Sequence, residues 1–187
     1  MGLSADLTLL CAESNRAGLS RLFLSEACNI TSFTADTTSM SYSAVVMDST
    51  ANVWYEYEAE VDTKSFNMEG ANANGTATFT NTIEAKISGM DRAKLQRMQD
   101  LIDARKLVCV FETTNKVGTY KRAFVIGWDN IIGVDAAGKP NINGVIEGAL
   151  DGDNSLTFTV VARHAELIRE LVGTLVSNAS GSVQFGS

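Results

Sequence analysis

The sequence predicts an α+β protein that is mainly β: an antiparallel β-sandwich or open barrel with one flanking helix and a C-terminal helix. Apolar and polar residues alternate most clearly over 53–61 and 79–87, and a period of two indicates half-buried strands. Apolar residues recur at helical spacing over 90–105 and 165–176. The strands follow one another without a helix between each pair, which disfavours a parallel doubly wound sheet.

The first third of the chain predicts one strand, one flexible region and a second strand. Residues 19–34 mix apolar with small polar side chains, as a first strand would. Residues 36–51 are rich in Asp, Thr, Ser and Met, which predicts a long loop or a mobile hairpin. In the strand 53–61, the tyrosines and valines share one face, and the opposite face is expected to be wet and acidic.

The middle of the chain predicts a loop, a strand and an amphipathic helix. Residues 69–76 are Gly and Asn rich and predict the loop, and the strand 79–87 follows. The helix 90–105 has Ser88 and Asp91 as alternative N-caps, because either side chain can accept from free backbone N–H groups.

The rest of the chain predicts four strands before the second helix. Residues 107–113 are apolar enough to be buried on both faces, and 119–132 are aromatic and β-branched. The segments 141–149 and 155–162 flank Asp151-Gly152-Asp153-Asn154, a strong hairpin signal. Residues 165–176 predict the C-terminal helix, and 177–187 an exposed tail.

The whole chain, residues 1–187, is expected to form a single domain, because no Pro-rich linker divides it. Its two possible assembly arms are 36–51 and 177–187, which could become ordered when subunits meet.

The side chains offer little for catalysis, a cofactor or a metal. His164 is the one histidine, and no Ser and acid partners stand at a recognisable spacing, so it is expected near the surface at a helix start. The cysteines Cys11, Cys28 and Cys109 are expected to be small buried apolar residues. A calcium loop starting at Asp151 would need Glu where Ala162 stands. We therefore expect no enzyme, no cofactor and no metal site.

Charge and hydropathy narrow the partners. With 15 basic and 22 acidic residues the net charge is −7, which opposes tight binding to nucleic acid. No apolar run approaches the roughly 20 residues that span a bilayer, so no membrane partner is expected and synthesis in the cytosol is.

The acidic face of the strand 53–61 is the candidate functional surface. Three carboxylates on one face are commonly just solvated, but a tryptophan beside them suggests that a partner covers part of the face. The candidate lumen or interface residues are Trp54, Glu56, Glu58 and Glu60.

From residue 53 onward the layout resembles the tail-tube-like structural proteins of tailed bacteriophages. The resemblance is carried by Val53-Trp54-Tyr55-Glu56-Tyr57, by the strand, helix, strand order over 79–112, by residues 118–128, and by the closing hairpin 144–159. It implies a virion protein of the tail, made in the bacterial cytoplasm. Its subunits would form a β-sandwich with a flanking helix and assemble into rings, commonly hexameric. Such rings stack into a tube, contact other tail proteins and let DNA pass through an acidic lumen.

Other functions stay open. The same folds serve tail terminators, neck or connector rings and baseplate hubs. A β-barrel that binds a small ligand would instead need an apolar cavity inside its sheet. An enzyme that uses carboxylates alone is the third class.

Overall fold

The computed structural model describes residues 18–59, 63–146, 154–178 and 181–186. This part of the chain is mainly β, with several sheets, one α-helix and no closed barrel, so the predicted fold class is confirmed. In chain order the elements are β1 (Leu19–Glu26), β2 (Ile30–Ala35), β3 (Ser41–Met47), β4 (Tyr55–Glu56), β5 (Ser65–Ala73), β6 (Thr76–Ser88), α1 (Arg92–Asp103), β7 (Leu107–Val117), β8 (Tyr120–Ile126), β9 (Lys139–Ile146), β10 (Asn154–His164), β11 (Arg169–Leu171), β12 (Gly173–Ser177) and β13 (Gly181–Phe185).

The strands form a large sheet, a small sheet and a hairpin. The large sheet has the order β2-β3-β11-β8-β7-β1-β4, the small sheet has the order β5-β6-β10-β9, and β12 pairs with β13. Pairing is antiparallel throughout except between β11 and β3. Both sheets therefore end in edge strands, at β2 and β4 in one and at β5 and β9 in the other.

The large sheet is covered on both faces. One face packs on the small sheet and α1 through a core that includes Leu22, Phe111 and Phe158. The other face packs on a second core, where Leu175 and Phe185 belong to the β12–β13 hairpin. The central strand β7 contributes to both cores, as the apolar run 107–113 predicts. The molecule thus has three layers, with the large sheet in the middle.

Helix α1 forms where the sequence predicts a helix. Of the two alternative N-caps, Asp91 is the one used, and its side chain accepts from the backbone N–H of Lys94 at 2.8 Å. Ser88 is instead the last residue of β6. Met98 and Leu101 are buried in the first core. Local capping and an apolar stripe suffice to specify this element.

The predicted C-terminal helix over 165–176 is wrong. Its residues form β11, which inserts between β3 and β8, and then β12. Leu171 and Leu175 are buried from these strands rather than from one helix face. A Cβ at Gly173 would lie 2.5 Å from the carbonyl oxygen of Ser43, so the strand depends on a residue without a side chain. Pairing with distant strands overrides the local helical pattern.

The predicted exposed tail over 177–187 is also wrong where the structure describes it. Residues 181–185 form β13, and Phe185 is buried, with its ring 5.9 Å from that of Phe23. An assembly arm cannot be placed there, because the hairpin seals the second core.

Two predicted loops are largely strand. The hairpin alternative for 36–51 is the better one, since Ser41–Met47 is β3 and pairs with β2. The loop predicted over 69–76 shrinks to a two-residue turn at Asn74 and Gly75, both with positive φ. The hairpin predicted around 151–154 is supported by the antiparallel register of β9 and β10, although 147–153 lie outside the described residues.

Candidate assembly surface

Trp54 is a core residue and does not lie on a wet face as predicted. Its side chain is fully buried in the second core, where its ring lies 6.4 Å from that of Phe33. Its backbone N–H donates to Val176 and its carbonyl accepts from Asn178, each at 3.0 Å. The β12–β13 hairpin therefore covers the face that the alternating pattern marks as exposed.

Glu56 is held in an ion-pair network at the rim of the large sheet. Both of its carboxylate oxygens accept from Arg21, at 2.7 and 2.8 Å. The buried Glu112 lies between Lys121, at 2.7 Å, and Arg21, at 3.8 Å. The hydrogen bond from Arg21 to Glu56 raises the pKa of the guanidinium above its ordinary value. Glu56 is thus a structural acid, and reversing its charge would break this network.

Glu58 is exposed and borders a cleft, whereas Glu60 lies outside the described residues. The cleft runs between 55–58 and α1, and comprises two adjoining cavities of about 210 and 390 Å³. Tyr55, Tyr57 and Arg97 line both cavities. Tyrosine and arginine at a partly open surface are typical of protein interfaces. Of the predicted site residues, Glu58 is therefore the one that the structure leaves available at a candidate contact surface.

The β5–β6 hairpin forms a ribbon that sequence reasoning missed. Every residue from Asn67 to Thr78 is exposed, on both faces of the hairpin. Strand β10 pairs with β6 only as far as the pair His164–Phe79, so the last three pairs of the hairpin have no third strand. The exposed side chains are mostly Ala, Asn, Gly and Thr, which offer no apolar face. A two-stranded hairpin of this kind is marginally stable in water by itself.

A second missed feature is a buried polar cluster at the end of β10. His164 is 2% exposed, not at the surface as predicted, and its Nε2 accepts from the backbone N–H of Gly127 at 2.9 Å. Burial lowers the pKa of this imidazole, against the opposing charges of Asp129 and Glu166. Glu166 forms a bidentate pair with Arg169, at 2.9 and 2.8 Å.

The carboxylate of Asp129 ties the cluster to the main chain. One of its oxygens accepts from the backbone N–H groups of Ile131 and Ile132, and the other from those of Ala165 and Glu166. These bonds join the loop after β8 to the link between β10 and β11. The cluster thus stabilises a connection between distant segments, and sequence spacing could not reveal it, since its members lie more than thirty positions apart.

The cysteines divide between core and surface. Cys109 is fully buried, and burial raises the pKa of its thiol. Cys28 is exposed, so the expectation that it is buried is wrong. Cys11 lies outside the described residues.

Two searches of the described residues were negative. Within the described ranges, no cluster of three or more His, Cys, Asp and Glu is arranged to hold a metal ion. Among those same residues, no helix has both the length and the apolar character to span a membrane.

Comparison of the chain with protein-family models, curated proteins and solved structures gives no significant match. The fold therefore defines a class, a mainly β protein with two open sheets and one helix, and functional proposals depend on the geometry of this molecule and on the resemblance of its layout.

Proposed function

We propose that this chain is a self-assembling structural protein of a bacteriophage virion, a subunit of the stacked rings of a tail tube. The exposed β5–β6 ribbon is the observation on which the proposal depends. A ribbon without an apolar face or a third strand gains little by folding alone, and it gains main-chain hydrogen bonds when a second subunit pairs with it.

The open sheets support the same proposal. Edge strands offer unpaired backbone N–H and C=O groups, and head-to-tail contacts between such edges close into rings. Both sheets end in edge strands, and no sheet closes into a barrel. A small-ligand barrel is less well supported, because the lined cavities are open clefts at the surface rather than an enclosed space inside a barrel.

The charge of the subunit fits passage of DNA. A net charge of −7 repels a polyanion, so duplex could slide past assembled subunits without adhering. The layout, a β-sandwich with one flanking helix, agrees with the architecture that the resemblance implies. A tail terminator, a connector ring or a baseplate hub would use the same features, and the form of the assembly distinguishes them.

Electron microscopy of the purified protein, with a mass measurement in solution, tests the proposal. Tubes are expected for a tail tube protein, and isolated rings would favour a terminator, connector or hub. A compact monomer that persists at high concentration, and that also fails to assemble with other tail proteins of the same phage, would overturn it.

A further inference from the structure

An aromatic groove opens between the two sheets, away from the cleft beside α1. It has a volume of about 470 Å³ and is lined by the beginnings of β1 and β5 and by side chains of β7 and β8. Phe111 forms the middle of its floor, with the Phe66 ring at 4.7 Å and the Phe124 ring at 5.7 Å. Phe66 and Phe124 are only partly buried. An apolar surface of this kind is stabilised when an apolar segment covers it.

The wall of the groove offers main-chain pairing as well as apolar contact. Ser65 and Phe66 line it and belong to β5, which is an edge strand of the small sheet. An extended peptide beside β5 could add a strand to that sheet while alternate side chains enter the groove. The groove therefore suits an extended segment with apolar residues two positions apart.

The chain carries such a segment close to the groove. Residues 7–11, Leu-Thr-Leu-Leu-Cys, are uncharged, and Leu7 and Leu9 stand two positions apart. Gly18 and Leu19 themselves line the groove, and the carbonyl of Gly18 is fixed by the N–H of Thr114 at 3.1 Å. From Gly18 back to Leu10, an extended chain reaches about 26 Å, at roughly 3.3 Å per residue. This exceeds the radius of gyration of about 16 Å expected for a domain of this length, so the segment can reach any part of the groove.

We propose that residues 7–11 occupy this groove in the same chain, as an added strand along β5 with their leucine side chains on the aromatic floor. The tether favours the chain's own segment over one from a second copy, because a short linker gives an effective concentration of about millimolar. This proposal is independent of ring assembly and concerns the single subunit.

Disulfide trapping with the native Cys11 tests the proposal. The variant Ser65→Cys is made in a Cys28→Ser background, so that the exposed native thiol is removed, while Cys109 stays buried. The protein is treated with a mild oxidant and analysed by non-reducing electrophoresis and peptide mass spectrometry. We expect a link between Cys11 and the introduced thiol within one chain, with a yield that does not change on dilution. The control Ser49→Cys, in the loop after β3, should give no such link.

Two results would overturn the proposal. The first is a yield no higher than that of the Ser49→Cys control. The second is a dimeric product whose yield falls on dilution, which would assign the groove to a second copy. A further pair of variants separates recognition from proximity. Leu9→Ser with Leu10→Ser should reduce the yield to the control level, whereas Leu3→Ser, outside the apolar run, should not. An unchanged yield in the first variant would contradict apolar docking.

Discussion

Burial of Trp54 makes it a residue for stability rather than for contact with a partner. We expect Trp54→Ala to lower the free energy of unfolding by about 3–5 kcal/mol, since it removes a large ring from a packed core. Tyr55→Ala is the matched control, because that neighbour is 48% exposed, and it should change stability by less than about 1 kcal/mol. Urea unfolding followed by circular dichroism measures both. Equal small effects would mean that Trp54 lies at the surface after all.

The buried His164 should make stability depend on pH. Its Nε2 accepts a hydrogen bond from Gly127, which an imidazolium cannot do, and burial lowers its pKa below 6.5. Below that pH the unfolded chain binds the proton first, so the free energy of unfolding falls as pH falls toward the folded-state pKa. Above about pH 6.5 the contribution is complete.

Unfolding of the wild type and of His164→Gln at about pH 7.5 and pH 5.5, on either side of the ordinary histidine pKa, measures this effect. Glutamine can accept from Gly127 but does not titrate. We expect the wild type to lose more stability than the variant between the two pH values. The same loss in both proteins would show that other groups cause the acid dependence.

Among the secondary-structure elements, sequence prediction succeeded where the determinants are local. Helix α1 has its own cap and its own apolar stripe, and both appear as predicted. The C-terminal segment failed, because β11 is specified by pairing with Ser41–Tyr42 and Ala123–Val125, which lie far away in sequence. Its leucines fit a helix face and a strand face equally well.

The candidate site was predicted only in part, for the same reason. The alternating pattern of 53–61 assumes a sheet that is buried on one face, but the β12–β13 hairpin adds a third layer over Trp54. Glu56 finds a partner 35 positions away. The ribbon was interpreted as a loop because its Gly and Asn residues suit turns, and strands without apolar side chains leave no periodic signal.

The ribbon should act through its outer edge. Asn74 and Gly75 form a two-residue turn, so the flanking pair Ala73–Thr76 is hydrogen-bonded, and the next pair, Asn72–Ala77, points its N–H groups outward. We expect Asn72→Pro to remove one outward donor and to reduce ring or tube formation, with little loss of subunit stability. Asn72→Ala keeps the N–H and is the control. Normal assembly of Asn72→Pro, scored by sedimentation and microscopy, would exclude pairing at this edge.

For the whole molecule, the position of charge matters as well as its total. Of the acidic candidates, Glu58 is the one in the described residues that is exposed at the cleft, whereas Glu56 is bound to Arg21. If Glu58 faces the lumen of the assembled tube, Glu58→Lys should leave folding intact and make the tube retain duplex DNA at low salt. Retention should decrease as salt rises, since counterions screen phosphate contacts within a Debye length of about 10 Å at 0.1 M.

Asp48→Lys is the control that separates position from total charge. Asp48 is exposed after β3, away from the cleft, and its reversal changes the net charge by the same amount. Tubes of the wild type and of both variants are incubated with duplex, sedimented and assayed for bound DNA over a salt series. Binding by Glu58→Lys alone would support a lumen position. Equal binding by the two variants would mean that net charge alone keeps DNA from adhering. Salt-dependent binding by the wild type would contradict the repulsive lumen on which passage of DNA depends.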